Sequence, residues 1–142
     1  MNICLDIVTI DIKKISFYKP IQNKISHYTN FYKILYNIEI FTLNTIILKV
    51  DVKDLRMNKD NNIYKVSFTI DPHFLEKLKL FETEILDNFN NITKKKVMLS
   101  FNKFVNKLVY NTNSPNTSVV LRISGIWESD THIGITSKLT IN

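Results

Sequence analysis

Apolar and polar residues alternate along most of this chain, and in one stretch the spacing changes to that of a helix. Ile3, Leu5 and Ile7 share one phase; Ile10 and Ile12 follow in another after a shift near Thr9. This predicts a bulged strand over Asn2–Lys14. Ile15–Lys19 continues as a short strand that Pro20 stops, and Gln22–Thr29 is a polar loop. Phe31–Asn37 is a strand rich in aromatics, which Ile38–Leu43 extends or turns. Thr45–Val52 is a strand with Lys49 and Asp51 on one face, and Asp54–Asn62 is a polar connection. Ile63–Ile70 alternates cleanly, with Tyr64, Val66, Phe68 and Ile70 together.

Asp71-Pro72 then opens a helix, an acid at the cap and proline in the first turn. Phe74, Leu78, Phe81, Ile85 and Phe89 form its apolar stripe, widened by Leu75 and Leu86. Glu76, Lys77, Glu82, Glu84 and Asp87 cover the other face, and the helix is expected to end near Asn88–Asn91. Val97–Phe104 reads as a strand or short helix, and Asn106–Ser118 as a long polar loop.

The chain closes on the segment that organises it. Val119–Ile126 and Ile133–Ile141 are β-branched runs around the polar Glu128–His132, a predicted β-hairpin. It holds both glycines, Gly125 and Gly134, and the single Trp127. Gly125 inside the first run marks a bulge or a close backbone approach. Arg122, Ser124, Trp127, Ser137 and Lys138 then lie on or near a curved ribbon. Cations and an aromatic on curved sheet suit a single-strand nucleic-acid groove, whereas the competing reading makes Trp127 core and Arg122 a solvated edge residue.

The elements number about five strands, one helix, then two or three strands, with no linker or internal repeat. The expected fold is mainly β with one helix: an OB-like five-stranded Greek-key barrel with extra strands, as one domain over residues 1–142. An apolar content of 44% supports a real core. No apolar run is long enough to span a membrane, and Asp6 interrupts the N-terminal run that a signal peptide would need. A lone Cys4 forms no disulfide within the chain, so the expected setting is intracellular: the nucleus or a cytoplasmic replication site, without secretion.

Alanine is absent and Asn, Ile and Lys abound, the mark of an AT-rich gene, so a net charge of +6 says little by itself. Its distribution says more. Residues 1–87 carry 12 Lys/Arg against 11 Asp/Glu; residues 88–142 carry 7 against 2. No acid stands between Asp87 and Glu128, whereas Lys94, Lys95, Lys96, Lys103, Lys107 and Arg122 do. Codon bias enriches lysine everywhere, so the asymmetry points either to a polyanion partner or to a lysine-rich loop with none.

Site chemistry is missing. His27, His73 and His132 have no metal-ligand spacing, two glycines cannot build a phosphate loop, and no nucleophile elbow occurs. Carboxylates are scattered over the helix and loops; Asp51 and Asp54 are the one close pair on a strand end, explained by solvation there. Asn91-Ile-Thr93 and Asn116-Thr-Ser118 match the glycosylation pattern but lack a secretory signal before them. No enzyme, metal, cofactor, small-molecule substrate or membrane partner is expected.

ISFYKP (15–20), YKILYN (32–37), YKVSF (64–68), the LEKLKLFETEILDNF helix and the terminal VVLRISGIWES…IGITSKL occur in an order and spacing that resembles the OB-fold single-stranded DNA-binding proteins of large eukaryotic DNA viruses and related elements. The pattern spreads over about residues 13–140 and contains no single diagnostic motif. That family usually has a Gln-x-Pro and a Pro-Phe-Gly-like segment where this chain has IILKVDVKDLRMNKD.

The resemblance implies sequence-tolerant single-stranded DNA binding in viral-type replication or recombination, by backbone charge and base stacking; self-association is a family expectation that the residues do not show. Candidate contacts to phosphate are Lys19, Lys33, Lys65, the Lys94, Lys95 and Lys96 run, Arg122 and Lys138. Candidate stackers begin with Tyr18, Phe31, Tyr32, Tyr36, Tyr64 and Trp127. Alternation sets Tyr32, Ile34 and Tyr36 opposite Lys33, and Tyr64 and Phe68 opposite Lys65, which narrows the stackers to Tyr18, Phe31 and Trp127. The alternative is a non-enzymatic β-rich structural or protein-interaction module with a basic docking surface.

Overall fold

A computed structural model describes residues 3–18, 21–22, 30–60, 63–103, 106–111 and 118–141. The strands are β1 (Cys4–Leu5), β2 (Ile15–Phe17), β3 (Ile21–Gln22), β4 (Asn30–Ile38), β5 (Phe41–Leu43), β6 (Ile46–Lys49), β7 (Val52–Asp60) and β8 (Ile63–Ile70), followed by the helix α1 (Pro72–Thr93), then β9 (Lys96–Met98), β10 (Asn106–Asn111), β11 (Val119–Glu128) and β12 (His132–Ile141). The fold is mainly β with one helix. Nine strands form one sheet, and β10-β8-β7 form a second. Among the described residues neither sheet closes on itself, so the pairing does not draw the closed five-stranded barrel of the expectation.

The terminal hairpin is the centre of the large sheet. One edge of β11 pairs with β12; the other pairs with β6 over Val120–Ile123 and with β4 over Gly125–Glu128. The register shifts between Ile123 and Gly125, so a bulge at Ser124 lies where β11 passes from one neighbour to the other. The turn is shorter than expected: Glu128 belongs to the strand and is buried.

The helix follows its sequence signals. Asp71 Oδ2 accepts from the Phe74 N–H at 3.2 Å, and Lys53 Nζ lies 3.0 Å from Asp71 Oδ1. The Lys53 hydrogen bond, helped by the Phe74 N–H, holds the Asp71 carboxyl below its ordinary value against the opposing effect of burial. Phe74, Leu75, Leu78, Phe81, Ile85, Leu86 and Phe89 are buried as the stripe requires. Phe89 meets Phe17 and Tyr32 edge-on, which seats the helix on the inner face of the large sheet. The helix runs on to Thr93, and Lys94 caps it in the left-handed region at φ 53°. Its N–H bonds Asn90 O at 2.9 Å, while the Lys95 N–H bonds Asn90 Oδ1 at 2.7 Å, which offsets the strain of a non-glycine residue there. Glu82, expected on the solvent side, is buried. It accepts from the Ser100 N–H and hydroxyl and from the Phe101 N–H at 2.9–3.0 Å, tying the segment after β9 to the helix.

Three further segments differ from expectation, two of them polar-rich. Asp54–Asp60 is strand, with a bulge between Lys53 and Arg56 that Asp54 enters at φ 53°. Asn106–Asn111 is strand too, on the other edge of the same small sheet. Each needs one partner, the apolar β8 between them, so neither carries the full alternation that betrays a strand. Residues 7–14 form two 3-10 turns instead of a bulged strand. Asp6 and Asp11 each accept from the N–H two residues on, at 3.1 and 3.0 Å, and the competing side-chain bond breaks the ladder. Asp-Ile-x-x-Ile occurs twice in succession, Asp6–Ile10 and Asp11–Ile15, a short repeat that an alternation reading conceals.

Candidate nucleic-acid interface

The outer face of the large sheet, opposite α1, follows from the register. Ile126 and Glu128 point inward with Val119, Leu121 and Ile123, because the bulge at Ser124 absorbs one residue. Gly125 and Trp127 therefore join Arg122 on the outside. Strict alternation from Ile123 would have buried Trp127; the bulge turns it outward.

Four cross-strand rows cover this face, about 7 Å apart along the strands. The first is Phe31–Trp127–Gly134–Met98. The second is Tyr18–Lys33–Gly125–Thr136, since the Tyr18 N–H bonds Lys33 O at 2.8 Å. The third is Ile47–Arg122–Lys138 and the fourth Lys49–Val120–Thr140. Lys96, opposite His132, stands at the open end. No row contains an acid. Arg122, Lys138, Lys49 and Lys96 are exposed, Lys33 is half-buried, and Ile47 and Val120 are a buried apolar floor. Arg122 and Lys138 are directly opposed, and among the described residues neither has a carboxylate partner. Like charges in this position repel, at a cost to the fold of roughly 0.2–1 kcal/mol.

The glycines explain the aromatics. A Cβ on Gly125 would strike the Tyr32 carbonyl oxygen and the Phe31 ring; one on Gly134 would strike the Trp127 indole. Each ring lies across a glycine and stays half-buried, outside the core cluster. Tyr18 is 58% exposed. Trp127 is thus neither core nor a free platform: one ring face is on the sheet.

Of the expected residues, Tyr18, Phe31, Lys33, Lys96, Arg122, Trp127 and Lys138 share this face. Lys65 does not: it is half-buried in the small sheet, opposite Asn58 and Tyr110. Lys94 is exposed at the helix end, a favourable place for a cation. Lys95 is engaged within the molecule: its Nζ donates to Ser129 O at 2.7 Å and lies 3.2 Å from the Glu128 carboxylate. Lys19 lies outside the described residues, as do residues 23–29 and 112–117 of the expected loops. Lys49 and Met98 were missed. Lys49 is exposed by alternation in IILK, but the chain does not tell which strand β6 borders.

Beneath the face, Glu128 accepts from Asn30 Nδ2 at 2.8 Å and the Tyr32 hydroxyl at 3.2 Å, besides pairing with Lys95. Burial pushes its carboxyl upward, but the Asn30 and Lys95 hydrogen bonds and the Lys95 charge prevail and hold it below its ordinary value. Burial first, then the Glu128 charge, raises the Tyr32 phenol. No buried side-chain polar atom among the described residues lacks a partner, as befits a structural network.

No protein-family model, curated protein or solved structure matches the chain. Among the described residues no group of three or more His, Cys, Asp or Glu side chains could hold a metal ion, and no helix is long and apolar enough to cross a membrane.

Proposed function

We propose that this protein binds single-stranded DNA, with little sequence preference and without catalysis, through the outer face of the large sheet. The role that fits is protection of exposed strands during viral-type DNA replication or recombination. The observation that carries the reading is the Arg122–Lys138 pair, two opposed cations kept without a carboxylate partner on an acid-free face. A polyanion would neutralise their repulsion, so the fold carries a local cost that binding removes. Lys33 and Lys49 extend the charge along the strands, and Tyr18, Phe31 and Trp127 offer ring surface to bases at one end. Architecturally we read the curved large sheet, with α1 across its inner face, as an opened variant of the OB arrangement.

The test is fluorescence anisotropy with labelled oligo-dT and a matched duplex at low and moderate salt. Binding that favours the single strand and weakens with salt is expected, with quenching of Trp127 emission. Equal binding to both forms would reduce the face to a general polyanion surface. No binding would leave it as a dock for an acidic protein.

A further inference from the structure

We propose that a second copy of this chain docks on the exposed stripe of α1, two-fold related and antiparallel. The stripe runs along His73, Lys77, Leu80, Glu84 and Asp87, all exposed. Leu80 is 60% exposed at its middle, and Val8, 65% exposed, stands beside it on the first 3-10 turn. Between them lies a groove of about 310 Å³, walled by Ile7, Val8, Ile10 and Ile12 and by Leu80 and Phe81 of the helix.

Charge selects the occupant. Lys77 and Glu84 flank the groove, seven residues or about two turns apart, so they point nearly the same way. An antiparallel copy with its axis between Leu80 and Phe81 brings Lys77 against the partner's Glu84 and Glu84 against the partner's Lys77. The same axis lays Leu80 over Phe81 of the facing helix, at the floor of its groove. His73 meets the acidic end that holds Asp87. One operation therefore satisfies the charges and covers the apolar groove, the self-complementarity a two-fold interface demands. The outer sheet face, across the core from this stripe, stays uncovered, so DNA binding and dimerisation are separable.

The experiment is sedimentation equilibrium of the full chain over a wide concentration range, with circular dichroism as a control for folding. The wild type is expected to show a reversible monomer–dimer equilibrium. Leu80→Glu, on an exposed side chain, should remain folded and weaken the dimer at least about tenfold. Lys77→Glu and Glu84→Lys should each weaken it about tenfold, since the axis duplicates every like-charge contact, and the double variant should restore it. A wild type monomeric throughout would overturn the proposal. So would a dimer indifferent to Leu80→Glu, or a double variant no better than the singles. Oligo-dT binding by the same variants should be unchanged, which separates failure here from failure of the DNA-binding reading.

Discussion

The two sides of β11 obey different constraints. On the inner side every polar demand is met: Ile123 and Ile126 are fully buried, and Glu128 has three donors around it. On the outer side a demand is left open, with Arg122 facing Lys138 and two rings lying on bare glycine backbone. The inner side is finished within the molecule, whereas the outer side keeps two opposed cations without a carboxylate partner among the described residues. On the proposed function, that contrast within one strand separates stability from binding more sharply than exposure alone, because exposed lysines are ordinary and opposed ones are not.

Substitutions on each side should therefore be read by different instruments. Glu128→Ala should cost the most, roughly 3 kcal/mol in urea unfolding, because it strands Asn30, Tyr32 and a Lys95 already partly withdrawn from water. Its effect on binding should follow from unfolding alone. Gly125→Ala comes next, about 2–3 kcal/mol, since the new methyl meets fixed backbone at Tyr32. Gly134→Ala should cost less, about 1–2 kcal/mol, because the obstacle is a side-chain ring that can tilt; the displaced Trp127 should report this as a red-shifted emission. If both glycine variants were neutral, the rings would not lie where this account needs them.

On the outer side the order reverses. Arg122→Ala with Lys138→Ala should leave stability unchanged or raise it by a few tenths of a kcal/mol as the repulsion goes. Oligo-dT affinity should fall about tenfold or more, and the logarithmic salt slope should shrink by roughly 1.4 if both cations meet phosphates. A stability loss like that of Glu128→Ala would erase the contrast. The smallest effect concerns pH. Glu128 is held below its ordinary value, so its contribution is complete above the unfolded carboxyl range and lost as pH falls through the lower folded value. Tyr32 is raised, so its contribution is complete below about pH 10 and lost as pH climbs through the higher folded value. Urea titrations of wild type and Glu128→Gln should differ in the steepness of the acid limb.

Strong periodicity made the central pieces legible: α1 with its Asp71 cap, β4, β8 and the terminal hairpin with a bulge beside Gly125. Alternation within residues 31–37 and 63–70 set Tyr32, Tyr36 and Tyr64 aside as stackers; Trp127 lies on the face with Lys33 and Arg122 only because of the bulge, which alternation does not foresee. Edge strands were illegible because β7 and β10 answer to one neighbour, and Asp6 and Asp11 disguised two turns as a strand. The small-sheet position of Lys65 and the tie from Lys95 to Glu128 were out of reach, since both depend on which distant segments pair. Glu128 looked like a turn residue because a buried carboxylate differs from a solvated one in its partners, and these lie 33 and 98 residues away in Lys95 and Asn30.

Ser124 has a consequence that concerns heredity more than energy. As the extra residue of a bulge it occupies no place in the alternation, so a lineage could lose that codon and keep Trp127 outward and Glu128 inward. What would go is the bend where β11 passes from β6 to β4. A codon lost or gained in β11 away from the Ser124–Gly125 pair would turn part of the ribbon inside out, exchanging Arg122 for Ile123 or Trp127 for Ile126. Relatives of this chain should accordingly vary in length at this one point of the strand, and a homologue without the residue would show whether the face needs its curvature or its side chains alone.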